Sequence, residues 1–132
     1  MCLDSLADFK VPDPEVGWKV FYFDSCEPHI KSIASLCIYP VFYTWLNAKG
    51  VFEVFEEDAW RVELTDGYRV PYLNGFHIFL EKKDACEWWN NDTAVVLPVC
   101  YQNVVATGYQ NGKKVVVTKE MMILMEEQCP TN

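Results

Sequence analysis

The sequence predicts an α+β domain: a mainly antiparallel sheet of about six to eight strands, ending in a C-terminal β-meander, with one short helix near 82–90 packed on it. Three observations predict it. Runs rich in Val, Phe, Tyr and Trp recur along the chain and alternate with polar residues. Turn residues separate those runs, at Pro28, Pro40, Asp66-Gly67 and Asn111-Gly112. Helical layout is unambiguous in one stretch only, EKKDACEWW, which follows directly on the apolar strand GFHIFL, so that Gly75 to Trp89 gives strand, turn and helix in succession.

The elements follow in order. Residues 1–16 form a lead-in arm, with a weak helical turn around Ser5 to Phe9 and then VPDPEV, whose two prolines donate no backbone hydrogen bonds. Gly17 to Asp24, GWKVFYFD, alternates Trp18, Val20 and Tyr22 on one face with Lys19, Phe21 and Phe23 on the other, as a central strand does. KSIASLCIY is its simplest hairpin partner. VFYTWLNAKG fits a strand or a short helix, since periodicity does not separate the two over so few residues. The alternating apolar and acidic positions of VFEVF and WRVEL suit edge strands that close on Asp66-Gly67. The helix ends at Asn90 and Asn91, residues that favour turns. TAVVLPVCY, NVVATGYQ and KKVVVTKEMMILM then form the meander, with Asn111-Gly112 as the hairpin turn because both its central positions tolerate positive φ.

At 132 residues, 51% hydrophobic, the chain supports a single domain over 1–132, with 1–16 as its Pro-containing arm and 126–132 as a flexible tail. Eleven basic residues stand against 19 acidic ones, a net charge of -8. Surfaces that neutralise phosphates are built from clustered Lys and Arg, so direct nucleic-acid binding is disfavoured and a basic partner is permitted. The start, MCLDSLADFK, lacks the layout of a signal peptide, and Leu36 to Leu46 is about half the length of a membrane span. The expectation is a cytoplasmic protein without a membrane segment, whose six cysteines are reduced.

Candidate chemistry is sparse. His77, between Phe76 and Ile78, has no nucleophile or carboxylate beside it in sequence, and the better reading is a structural imidazole bonded to backbone. The functional reading makes it, with Tyr72, the lining of a small-molecule pocket. Cys26 and His29, with Cys37 in reach, are half of a zinc set, but structural zinc wants four ligands and no second pair is present. No metal and no cofactor is therefore expected. Nucleotide-binding, serine-hydrolase and metalloprotease signatures are missing, which favours a binding protein over an enzyme. The densest single-sign run, Glu53, Glu56, Glu57, Asp58, Glu63 and Asp66, is most simply a solvated face that protects an edge strand. Its functional reading is an electronegative contact surface, completed by Trp60 and by Trp89, which lies about a hundred degrees round the helix from Trp88.

GFHIFLEKKDACEWW, VVLPVCYQNVVATGYQ and KVVVTKEMMIL together resemble a module of small uncharacterised phage-encoded proteins, through Gly75, Phe76, His77, Asp84, Ala85 and Gly108. The resemblance covers Tyr72 to about Leu124. It implies an accessory or anti-defence factor, including the anti-CRISPR inhibitors that bind a host effector, and it implies no catalytic residue. The expectation is thus a small acidic phage-type protein that inhibits or modulates a basic host protein through an acidic and aromatic surface. The rivals are a nucleotide or small-molecule binder or unfamiliar small enzyme using the Tyr72–His77 pocket, and a phage structural component that assembles with its own copies.

Overall fold

In a computed structural model of the chain, residues 3–23, 30–32, 37–38, 42–48, 60–63, 69–72, 75–88 and 94–125 are described. The elements are β1 (Ser5–Leu6), β2 (Glu15–Phe23), β3 (Ile30–Ser32), β4 (Cys37–Ile38), β5 (Trp45–Asn47), β6 (Trp60–Glu63), β7 (Arg69–Tyr72), β8 (Phe76–Phe79), α1 (Lys82–Trp88), β9 (Ala94–Gln110) and β10 (Lys113–Ile123). The main sheet runs β1-β9-β10-β8-β2-β3-β4, with β5 also on β10, and β6 pairs β7 in a separate two-stranded sheet. All these strand pairings are antiparallel, so the predicted α+β class, mainly antiparallel sheet with a short helix at Lys82–Trp88, is what the described residues adopt.

The 17-residue strand β9 organises the sheet. Its first half pairs β2, from Tyr22↔Ala94 to Glu15↔Tyr101, while Val99 to Gln110 pair β10. Residues 99–101 therefore have a neighbour on each side. Strand β10 pairs β8 in turn, and β8 meets β2 at Trp18↔Phe79, so hydrogen bonding runs in a ring through β2, β9, β10 and β8. The sequence divides β9 into two strands of a meander. Instead, Asn103 takes a left-handed φ of 62° and the register with β10 slips between Val117 and Thr118, so one continuous strand bends.

The same kink explains the arm. Residues 3–23 run along one edge of β9, bonding at β1 and again at β2, and leave it where Pro12 and Pro14 have no N–H to give. There the Asp13 carboxylate substitutes for a strand, accepting the amides of Asn103 (3.1 Å) and Val104 (3.0 Å). Glu120 holds the other side, accepting from the side-chain amides of Gln102 and Asn103. The helical turn expected at Ser5 to Phe9 is not formed, because pairing Ser5 and Leu6 with Tyr109 and Gly108 satisfies more backbone than one isolated turn does.

Strand alternation sends β2 side chains into two clusters. Phe21 joins Phe76, Ile78, Val99, Tyr101, Val116, Met121 and Ile123, while Val20 joins Leu3, Phe79, Val115, Val117 and Ala85. The second cluster lies under α1, whose Ala85 is fully buried and whose Trp88 ring sits 5.9 Å from Phe79. The charged face of α1 stays outside, with Lys82 over the Trp18 ring at 5.1 Å. In the undecided segment after Pro40, Trp45 to Asn47 form a strand, since they find an open stretch of β10, and Ala48 directly after them is helical. The expected turn at Asn111 and Gly112 is present, with φ of 51° and 77°.

One expectation about the cysteines is corrected. Cys86 is a free, exposed thiol, but Cys100 is disulfide-bonded, with a partner outside the described side chains. Compartment arguments set a prior for thiols, whereas a bond needs only two cysteines brought to within about 7 Å, which a sequence does not reveal. The expected flexible tail, 126–132, lies outside the described residues.

Candidate functional site

The described elements gather two distinct arrangements, one buried and polar, one exposed and apolar. The buried one lies where β2 meets β8. Lys19 and His77 are each only 4% exposed. Lys19 alternates onto the same face of β2 as Phe21, opposite Leu97 of β9, and its Nζ donates to the His77 carbonyl at 2.8 Å. His77 Nδ1 lies 3.2 Å from the Gly75 carbonyl, a contact of ring with backbone of the kind expected. Burial lowers the Lys19 pKa from its ordinary 10.5 to about 7. Burial likewise holds the His77 imidazole well below its usual range, reinforced by the positive Lys19 and the chain's amino terminus and partly offset by the Gly75 carbonyl.

Lys19 is the residue that sequence reasoning missed. Its signal was there, since alternation on an aromatic central strand with both faces buried must put this one charge inside. With His77 only 4% exposed, its ring offers a dissolved substrate almost no surface. Tyr72, its expected companion in a pocket, has a described backbone in β7 but not a described side chain.

The exposed arrangement is built by β5 and the end of β10. Tyr43 is 45% exposed, Trp45 39% and Met125 70%, the large hydrophobics that stand out among the described residues. They are neighbours: the Tyr43 amide donates to the Ile123 carbonyl at 2.9 Å, the Met125 amide donates to the Tyr43 hydroxyl oxygen at 3.4 Å, and Trp45 is in register with Met122. Tyr43 also holds a φ of 57°, a left-handed conformation that costs an aromatic residue about 1–2 kcal/mol and persists where the surroundings impose it.

Of the expected contact residues, Glu53, Glu56, Glu57, Asp58, Asp66 and Trp89 lie outside the described residues. Trp60 and Glu63 are described as backbone, at the two ends of β6, where Trp60 is in register with Tyr72 and Glu63 with Arg69. Among the acidic residues outside that run, Glu87 accepts from Lys113 at 2.7 Å, Glu81 lies 3.6 Å from Lys83, and Glu120 serves the β9 kink. Among the described residues no group of three or more His, Cys, Asp or Glu side chains could hold a metal ion; Cys26 and His29 fall outside them. Among the described residues, too, no helix is long and apolar enough to cross a membrane. Comparison with protein-family models, curated proteins and solved structures finds no match for the chain.

Proposed function

We propose that this chain acts by contact, as a small acidic phage-type protein that binds a larger basic host protein and inhibits or modulates it by occupying a surface. The observation that carries the reading is the exposure of Tyr43, Trp45 and Met125 at one end of β10: Tyr43 and Trp45 are tied to β10 through the backbone, and the Met125 amide donates to the Tyr43 hydroxyl. Aromatic residues exposed on a fixed backbone are the usual anchors of protein interfaces, since they bury much area for little lost side-chain entropy. The net charge of -8 supplies attraction at a distance and favours a basic partner.

A host-interference assay tests this reading. Trp45→Ala and Tyr43→Ala, both folded by circular dichroism, should each weaken interference at least tenfold. Charge reversal at Glu56, Glu57 and Asp58 should slow association and make it less salt-dependent. Unchanged interference in all of these variants would refute the proposal. Action in the host cytosol belongs to the same proposal, and the Cys100 disulfide is the finding that sits least easily with it, because thiols there are kept reduced. The pocket reading has less support, since the imidazole that would serve it is buried. Self-assembly would use the same exposed cluster, and light scattering on the purified protein separates it from binding to a host protein.

A further inference from the structure

The ring of strands has one thin seam. Trp18↔Phe79 is the single register pair that joins β2 to β8. At that point the strands are pinched: a Cβ on Gly17 would lie 2.4 Å from Ile78 Cγ2 and 3.0 Å from the Phe79 carbonyl oxygen. Two residues along β2, contact between the strands passes to a side chain, as the Lys19 amine spans to the His77 carbonyl. Carbonyls of alternate residues in a strand point to the same edge, so His77 offers β2 the edge that Phe79 uses for pairing. The Lys19 amine thus stands where the next ladder bond of the seam would be.

We propose that this seam is a proton-operated closure, sealed while Lys19 is an uncharged amine bonded to the His77 carbonyl and loosened when that amine takes up a proton. A neutral amine is satisfied with one good acceptor. An ammonium carries three N–H groups and a full charge, and in a site this dry it gains most by reaching water. The surroundings offer it no counter-charge among the described residues. β9 presents Leu97 opposite it, the facing part of β10 is Val115 to Thr118, and the one titratable side chain on β8 is His77 itself. On α1, Lys82 lies over Trp18, Asp84 and Glu87 are paired with Lys113, and Lys83 with Glu81. At the start of β2 and in the loop before it, Glu15 bonds the Val16 amide and Asp13 the β9 kink.

Two measurements on the intact protein test the closure. Carbon-13 labelling of lysine Cε follows Lys19 directly; its shift should titrate near neutrality, some three pH units below the surface lysines. Hydrogen exchange at the seam-facing amides of Trp18, Val20, His77 and Phe79, corrected for the intrinsic rate, should report opening that grows about tenfold for each pH unit lowered between 9.5 and 7, as one-proton linkage requires, and then levels off. Lys19→Met should abolish that slope at the seam while leaving exchange in the β9–β10 hairpin as it was. A Lys19 titration near 10.5, seam exchange independent of pH, or a wild-type slope in Lys19→Met would each overturn the proposal. Should Lys19→Met fail to fold, the lysine titration of the wild-type protein decides alone.

Discussion

The β9–β10 hairpin and the β2–β8 seam are built from the same kinds of residue, and they differ in how they are held. Ten residue pairs register β9 on β10 across a two-residue turn. One pair registers β2 on β8, between residues 61 positions apart in the chain. Closing the hairpin costs little chain entropy and is rewarded along its whole length, whereas closing the seam comes late and is rewarded by one backbone pair, one lysine bond and the packing of Phe79, Ile78 and Val20. A ring of strands is thus no stronger than its least local contact, and here that contact contains the one lysine buried among the described residues.

The largest expected effect breaks the comparison at Lys19. Its folded pKa lies below its unfolded value, so between pH 7 and about 10 the unfolded chain holds more protons than the folded one and stability climbs with pH. A shift from 10.5 to about 7 is worth about 5 kcal/mol in full, of which about 3–4 kcal/mol is gained between pH 7 and 10. Tyr101 sets the upper limit: burial, aided by Glu15 and Asp13, pushes its hydroxyl up to about 12, so stability falls again above pH 10 as the unfolded tyrosine ionises first. Urea unfolding across this range should therefore show a maximum near pH 10, well above the usual optimum of pH 5–8. Lys19→Met should flatten the rise. It should be more stable than wild type at pH 7 by roughly 2 kcal/mol and less stable at pH 10 by about 1–2 kcal/mol, because the hydrogen bond from Lys19 to the His77 carbonyl is then missing.

A smaller effect comes from the pinch beside it. Gly17→Ala places a methyl group against Ile78 and the Phe79 carbonyl and should cost about 1–3 kcal/mol in urea unfolding. Next is the bend of β9: Asp13→Ala leaves the Asn103 and Val104 amides to water and should cost about 1–2 kcal/mol. The hairpin should answer least. Gly112→Ala meets no neighbouring atom and bears only the left-handed backbone penalty, about 1 kcal/mol, measurable as a shift in the urea midpoint with unchanged slope. A Gly112→Ala cost larger than that of Gly17→Ala would reverse the ranking of the two regions.

What was legible in the sequence follows the same division. Local features were readable: the helix from Lys82 to Trp88, the Asn111-Gly112 turn, the alternation of Trp18 and Val20 against Phe21, and the backbone-bonded His77. Contacts made across the chain were not. Nothing in NVVATGYQ says that Asn103 bends a continuous strand, because the bend depends on Asp13, ninety positions away. The Cys100 bond and the meeting of Tyr43 with Met125 have the same origin. For the contact site the acidic run stood out by its charge density, while nothing in VFYTWLNAKG marks Tyr43 and Trp45 as exposed, because their exposure follows from where the segment meets the end of β10.

The open turn at Asn111 and Gly112 has a practical use. From there β10 runs to Met122, beside the exposed aromatic cluster, a distance of about 30 Å at the usual rise per strand residue. Apart from its chain neighbours, no atom lies within 4 Å of a Cβ added at Gly112. A fluorophore or a surface tether attached at that tip would hold the molecule by the end remote from Tyr43, Trp45 and Met125, leaving that cluster facing whatever is passed over it.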